Sequence, residues 1–280
     1  MGVMSTLNKM PPGDLRQLLV GLFITAGLVI MASVPTLIAP YDPLAFSGSL
    51  YGPPSWSHPW GTDNLGRDVL SRSIAGARSS LLVSFAAVLI SFLLGAPLGA
   101  ISGYIGGPFD KVNAMFMDAW WAFPTIVFAI LIAAMLGPSA LNTALAVGVA
   151  VAPSFFRVVR SLTLSMRELP FIEAERCIGA SSLRIVFRHI FPNTIPSVIV
   201  LATLGVGQAI LSVSGLGFLG VGIPPPAPEW GTDLGAARGA LVSGIWWASA
   251  FPGVMILLTV LGFNLFGEGL RALVSPGYRG

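Results

Sequence analysis

The side chains that could carry chemistry are few, and many of the positive ones lie in one part of the chain. Of the 15 lysine and arginine residues, six are arginines between Arg157 and Arg188. The single cysteine, Cys177, has no CxxC partner, and the two histidines, His58 and His189, are far apart, so no disulfide or metal centre is predicted. No GxxxxGK[ST] phosphate-binding loop occurs in the sequence. The basic cluster therefore indicates a contact surface.

The basic cluster has the pattern of two short amphipathic helices joined by a turn. Leu169-Pro170 suits a helix start, because proline is accepted in the first helical turn. Apolar and charged residues then alternate through PFIEAERCIGASSLRIVFRHIF, and Gly179 predicts a break between the two pieces. This pattern favours an interfacial or docking element. A solvated basic loop that only sets the orientation in a membrane is the alternative.

The composition identifies the medium around these elements. Hydrophobic residues make up 54% of the 280 residues, charged residues make up 10%, and the mean hydropathy is +0.82. Soluble domains average about 45–50% apolar and about 25% charged residues. We therefore predict an all-α, polytopic membrane protein. The net charge of +3 is small, and the basic residues are concentrated in one part of the chain. Both features argue against a nucleic-acid-binding surface.

Six apolar runs are interpreted as membrane-spanning helices, which need about 20 residues. They cover residues 18–39, 81–101, 112–136, 141–156, 197–213 and 246–266. The first run is longer than the apolar region of a signal peptide and is interpreted as an uncleaved span, with a signal peptide as the alternative. Pro124 lies inside the third run, where it predicts a kink and not a helix end.

Polar segments divide the chain around these runs. Residues 1–17 form an N-terminal segment, 18–39 the first span, 40–78 an external loop with a short helix after HPWGTDNLGRD, and 79–274 the core transmembrane domain. The core contains a cytoplasmic loop at 161–191 and an external loop at 214–245. Residues 275–280 form a tail.

The positive charges predict the orientation, because cytoplasmic loops carry an excess of lysine and arginine. With both termini in the cytoplasm, 11 of the 15 positive residues lie inside: Lys9, Arg16, Lys111, Arg157, Arg160, Arg167, Arg176, Arg184, Arg188, Arg271 and Arg279. The four outside are Arg67, Arg72, Arg78 and Arg238. The loop at 161–191 is therefore predicted to be cytoplasmic.

This cytoplasmic loop resembles the EAA signature of permease subunits of ABC importers. That signature reads E-A-A, three residues, G, nine residues and then I-x-L-P, and the matching residues here are Glu173, Ala174, Gly179 and Pro192. Three positions differ from it, with Glu175 for alanine, His189 for isoleucine and Phe191 for leucine.

Four further segments are similar to the C-subunit type of the dipeptide, oligopeptide and nickel group of these permeases. They are HPWGTDNLGRDVLSRSIAGARSSL, DAWWAFP, SGLGFLGVGIPPPAPEWG and FPGVMILLTVLGFNLFGEGLR, within residues 40–275. The resemblance implies a type I ABC importer-like permease fold and the import of short peptides. Nickel or a modified peptide is the substrate alternative. A self-sufficient secondary transporter is less favoured, because the two halves of the sequence do not look like inverted copies.

The resemblance also implies the partners. These are a second permease subunit in a heterodimer, two ATP-binding subunits that hold ATP and Mg, an external solute-binding protein and membrane lipid, in a bacterial or archaeal cytoplasmic membrane. This chain would bind no cofactor itself and would be a transport subunit, not an enzyme. The contact with an ATP-binding subunit would be made by Glu173, Ala174, Glu175, Arg176, Gly179 and Ala180.

Three polar residues inside the apolar runs are candidates for a translocation path. Asp118 is an intramembrane carboxylate, although a structural pair with a cytoplasmic arginine is the preferred interpretation. Gln208 and Asn264 lie deeper in their runs and either face the path or hydrogen-bond between helices. Glu268 and Arg271, three residues apart, predict a local ion pair.

Overall fold

The computed structural model describes residues 10–274, and within them it is helical, with an isolated bridge between Thr62 and Asp68. The N-terminal residues 1–9 and the predicted tail, 275–280, lie outside the described residues. In chain order the helices are α1 (Pro12–Ser33), α2 (Pro35–Ile38), α3 (Val69–Ile105), α4 (Gly107–Trp121), α5 (Thr125–Leu136), α6 (Ala140–Met166), α7 (Pro170–Cys177), α8 (Ser182–Phe218), α9 (Trp230–Ala237) and α10 (Trp247–Val274). A π-helical stretch, Ile185–Ile190, lies within α8, and a 3₁₀ helix, Ala240–Ser243, precedes α10.

Five of these helices are long and apolar enough to cross a membrane: α1, α3, α6, α8 and α10. The pair α4 and α5 adds a sixth crossing if it is counted as one broken span. The prediction of about six spans in an all-α fold is therefore consistent with the described residues.

The break in the third run is sharper than the sequence predicts. Helix α4 ends at Trp121, Pro124 caps the start of α5, and the two helices meet at 87°. The prediction of a continuous helix kinked at Pro124 is wrong, because proline disfavours a helical conformation at the residue before it. With 12 residues, α5 rises only about 18 Å, which is less than the roughly 30 Å of a bilayer core.

Other predicted boundaries also move, for local reasons. Helix α1 covers Pro12–Ser33 instead of 18–39, because one proline is accepted in its first turn and Pro35 stops it near its end. The short helix expected after HPWGTDNLGRD is the first part of α3, capped by Asp68, whose carboxylate accepts a hydrogen bond from the Ser71 N–H at 2.7 Å. Helix α8 starts 15 residues before the predicted run at 197 and extends beyond Ser214, where the external loop was predicted to begin.

The centre of the fold is the close pairing of α3 with α6. A Cβ atom added at Gly95, Gly99 or Gly103 of α3 would overlap or crowd the carbonyl oxygens of Ala152, Phe156 and Arg160 on α6. Helices in membranes pack through small residues of this kind, because the backbones can then approach closely. These two helices therefore behave as one unit.

We expect Gly95→Ala to destabilise the protein by about 1–3 kcal/mol, because the added methyl group must push α3 away from α6. Gly27→Ala in α1 is the matched control, since a Cβ atom there meets nothing within 4 Å. Thermal unfolding in detergent checks this, and an equal melting temperature for both variants would contradict the close pairing.

Charges along α3 place the membrane. Arg78 is exposed, and Arg167 donates from Nη1 to the carbonyl oxygen of Gly103 at 3.1 Å. The 24 residues between Arg78 and Gly103, 79–102, are uncharged and rise about 36 Å, close to the thickness of a bilayer core. The first turns of α3 therefore extend beyond a bilayer core on the side that the positive charges predict to be external, together with the segments that pack on them.

Candidate coupling loop and external cap

The loop between α6 and α8, which the sequence predicts to be cytoplasmic, holds one short helix in a defined position. Leu169 is the N-terminal cap of α7 and Pro170 its first residue, as predicted. Glu173 lies in the first turn and Arg176 in the last, which suits the helix dipole at both ends. Gly179 follows with φ +81, a left-handed conformation that favours glycine, so the predicted break is confirmed. We call residues 167–183 the coupling loop.

An apolar cluster attaches the coupling loop to the next span. Ile172 of α7 has no exposed surface and packs with Ile185 and Ile190 of α8. Tyr104, Met166 and Ala180 pack around this cluster. Burial of a side chain of this size contributes about 1.5–3 kcal/mol, so α7 has one firm anchor.

Two charged side chains of α7 also turn towards the protein. Glu175 Oε1 lies 3.4 Å from His189 Nε2 on α8. Arg176 donates from Nε to the Tyr104 hydroxyl oxygen at 3.3 Å, and its Cζ atom lies 5.3 Å from the centre of the Tyr104 ring. The hydrogen bond to Tyr104 raises the pKa of Arg176 above its ordinary value, so the guanidinium stays charged.

The other side of the coupling loop faces outwards. Glu173, Ala174 and Gly179 are exposed. Large apolar side chains are exposed with them, namely Leu169, Phe171, Ile178 and Leu183, of which Ile178 is 78% and Leu183 62% exposed. Exposed apolar residues in a polar setting mark interaction surfaces. The loop therefore has an inner side that holds it in place and an outer side that is free to bind.

Polar residues predicted inside the spans lie in two separate places. Asp118 of α4 pairs with Arg157 of α6 at 2.8 Å, and the Arg157 guanidinium lies 4.7 Å from the centre of the Trp121 ring. This is the structural pair that the sequence favoured. Sequence reasoning missed the neighbouring pair of Asp110 with Arg160, at 2.5 Å. Both pairs hold α4 across the C-terminal half of α6.

Gln208 and Asn264 lie on the neighbouring helices α8 and α10. A Cβ atom added at Gly207 would lie 3.2 Å from Asn264 Oδ1, so the two helices are close at this level. Both amide side chains are exposed, and within residues 10–274 neither makes a side-chain hydrogen bond. Each lies ten residues, or about 15 Å, from one end of its helix. A free amide at this depth needs a polar partner.

The ion pair predicted for Glu268 and Arg271 is present, at 3.1 Å.

On the side predicted to be external, two segments that the sequence assigns to loops are joined through one buried arginine. Arg72 is 3% exposed and donates to Asp233 Oδ1 from Nε at 3.2 Å and from Nη2 at 2.5 Å. Its Nη1 donates to the carbonyl oxygens of Pro43, at 3.0 Å, and Pro226, at 3.5 Å. Asp63 lies 3.6 Å from its Nε. We call residues 40–77 and 219–254 the external cap.

Helix α9 seals the external cap against α3 and α8. Glu229 is fully buried and accepts hydrogen bonds from the N–H groups of Gly231 and Thr232 and from the Ser80 hydroxyl. Burial raises the pKa of Glu229, and burial also raises the pKa of Asp233 to about 6 although Arg72 opposes that rise. The sequence indicated Arg72 only as a topology signal, because a single charged residue does not reveal a partner more than 150 residues away.

Comparison with known proteins identifies the family. The model of a family described as binding-protein-dependent transport system inner membrane component matches residues 95–280. The chain is also 43% identical to the dipeptide transport system permease protein DppC of Alkalihalophilus pseudofirmus, over 96% of this chain and 94% of that protein. The chain belongs to this family of transport permeases.

Other relatives of the permease show the same likeness. It is 40% identical to the di/tripeptide transport system permease protein DppC of Pseudomonas aeruginosa, over 91% of this chain and 86% of that one. It is 41% identical to the glutathione transport system permease protein GsiD of Escherichia coli O1:K1, over 90% and 84%. In structure it resembles an inward-facing conformation of the MetNI methionine ABC transporter, with a TM-score of 0.56 and 20% identity, over 72% of this chain and 96% of that one, which shows the fold.

The family assigns the broad role of the permease. It is a multi-pass membrane protein and a transport subunit, and it works with other subunits of an ABC transporter. Hydrolysis of ATP belongs to separate subunits, so the permease is not an enzyme.

We expect Gly179→Ala in the permease to lower uptake about fivefold or more, because a side chain in the left-handed region costs about 1–2 kcal/mol and shifts the turn after α7. Gly107→Ala is the matched control, since Gly107 also has a positive φ, of +62, and open space around it. Uptake of the transported substrate into membrane vesicles is measured for both variants. Equal uptake by both variants would show that the turn has no role beyond stability.

Proposed function

We propose that the permease forms one half of the membrane channel of an ATP-driven importer of di- or oligopeptides. It would pair with a second permease in a heterodimer and receive peptides from an external solute-binding protein. Two ATP-binding subunits would bind ATP and Mg on the cytoplasmic side, where both termini would also lie. The printed names of its relatives, which refer to dipeptides, di/tripeptides and glutathione, support peptides as the cargo.

The observation that carries this proposal is the two-sided coupling loop. Its inner residues, Ile172, Glu175 and Arg176, hold α7 against the spans. Its outer residues, Glu173 and Ile178 among them, are exposed. The outer side would bind a cleft in an ATP-binding subunit, and closure of the ATP-binding pair would displace α7 together with the spans. In this proposal Ala174, Gly179 and Ala180 shape the contact, and Glu173 is its main charged group.

The path for the peptide would use the free amides. Gln208 and Asn264 each offer a donor and an acceptor, which suits the carbonyl and N–H groups of a peptide backbone. Their exposure and lack of partners among the described residues support this role. Asp118 was the third candidate, but its pairing with Arg157 supports a structural role instead.

The test is purification of the permease from its native membrane, followed by reconstitution into vesicles. The proposal expects a second permease and two ATP-binding subunits to copurify. It also expects ATP hydrolysis that rises when a dipeptide and the binding protein are added. Stimulation by nickel and not by peptides would favour the substrate alternative. Transport by the permease alone, without ATP, would contradict the proposal and favour a secondary transporter.

A further inference from the structure

The last turn of α3 is where three segments of the cytoplasmic side meet. Arg167, which follows α6, donates from Nη1 to the Gly103 carbonyl oxygen at 3.1 Å. Arg176 of α7 lies over Tyr104, and its Nη2 donates to the Arg167 carbonyl oxygen at 3.4 Å. Helix α7 is thus bonded to the end of α3 both directly and through the residue that ends α6.

Tyr104 has a particular place in this arrangement. It packs against the cluster of Ile172, Ile185 and Ile190, and of the described residues in and around that cluster it alone belongs to α3. Its hydroxyl group and ring both contact Arg176. The three isoleucines join α7 to α8, whereas Tyr104 brings α3 into contact with both this cluster and Arg176.

Helix α3 is suited to carry a displacement a long way. It has 37 residues, and Tyr104 lies 32 residues, or about 48 Å, from Arg72 in the external cap. Along this length its glycines press against the backbone of α6. A shift applied at Tyr104 would therefore move α3 and α6 together.

We propose that Tyr104 is a positioning residue that transmits the movement of α7 to α3 through Arg176. The inference rests on the proposed function, because the ATP-binding subunits supply the movement. A cation held over an aromatic face, with a hydrogen bond at the ring edge, resists both sliding and separation. Loss of this contact leaves α7 anchored by Ile172 to α8, so ATP hydrolysis continues while α3 follows less.

The experiment uses the complete importer, with its binding protein, in vesicles, and measures the number of ATP molecules hydrolysed per peptide imported. Tyr104→Leu and Arg176→Gln are each expected to raise this ratio about tenfold, and the double variant is expected to raise it no further. Tyr104→Phe, which loses only the hydroxyl group, is expected to raise it about two- to threefold. Arg271→Gln is the control, since it removes a cytoplasmic charge outside the coupling loop.

Two results would overturn the inference. One is an unchanged ratio in the single variants. The other is a double variant whose effect is the product of the two single effects, because the residues would then act separately. If Tyr104→Leu does not assemble, the same cycle with Tyr104→Phe decides. A wild-type complex with no peptide-stimulated hydrolysis would instead refute the proposed function, so the two failures are distinguishable.

Discussion

Replacing Arg72 by methionine is expected to destabilise the external cap by about 3–5 kcal/mol, because the carboxylate of Asp233, whose side chain is only 12% exposed, loses its cation. The loss is expected to grow as the pH rises above about 6. Burial raises the pKa of Asp233 to about 6, and Arg72 opposes that rise. Without Arg72 the pKa of Asp233 is higher still, so above about pH 6 ionisation of this carboxylate in the folded protein costs more free energy. Thermal unfolding of the purified protein at several pH values measures both effects.

The matched variants separate charge from volume. Arg72→Met combined with Asp233→Leu removes both charges and is expected to recover much of the lost stability. Replacing the exposed Arg238 by methionine is expected to change the free energy of unfolding by less than about 0.5 kcal/mol. A double variant as unstable as Arg72→Met would contradict the buried-pair account, since the unpaired carboxylate would not be the cause.

Replacing Ile172 by alanine is expected to release α7 from the spans. Ile172 has no exposed surface, and truncation of such a residue costs about 2–5 kcal/mol. Amide hydrogen exchange of the N–H groups in α7, residues 171–177, is expected to become about tenfold faster or more, because local opening then costs less. In the complete importer, peptide uptake is expected to fall more than ATP hydrolysis does.

Ile172→Val supplies the graded control, with an expected cost of about 0.5–1.5 kcal/mol and correspondingly smaller changes in exchange and uptake. Exchange of residues 171–177 that is the same in the wild type and in Ile172→Ala would contradict the role of Ile172 as the anchor of α7.

The overall apolar composition and the local helix breaks could be predicted from the sequence. The apolar runs predicted the membrane fold, and Leu169-Pro170 and Gly179 predicted both ends of the short helix α7, because proline and glycine act through local backbone geometry. The resemblance to the EAA signature pointed to the loop that we propose as the contact with an ATP-binding subunit. These features depend on near neighbours in the chain.

The features that the sequence did not predict depend on distant partners. The residues near Arg72 do not predict its pairing with Asp233, and those near Tyr104 do not predict its contact with Arg176, which lies 72 residues away. Pro124 was expected to kink one span, since prolines in membrane helices are often accommodated, but here the chain turns by 87°. Helix α4, which precedes the turn, is also paired with Arg157 and Arg160 of α6, and of these two contacts the sequence did not reveal the one with Arg160.

The most direct test of the coupling loop is site-specific photo-crosslinking in membranes that contain the whole importer. A photoreactive residue at position 178, where the isoleucine side chain is 78% exposed, is expected to form a crosslink with an ATP-binding subunit. The same residue at position 242, where the valine is 94% exposed in the external cap, is expected to form none with that subunit. A crosslink to the ATP-binding subunit from position 242 and not from position 178 would contradict both the orientation and the role of the loop.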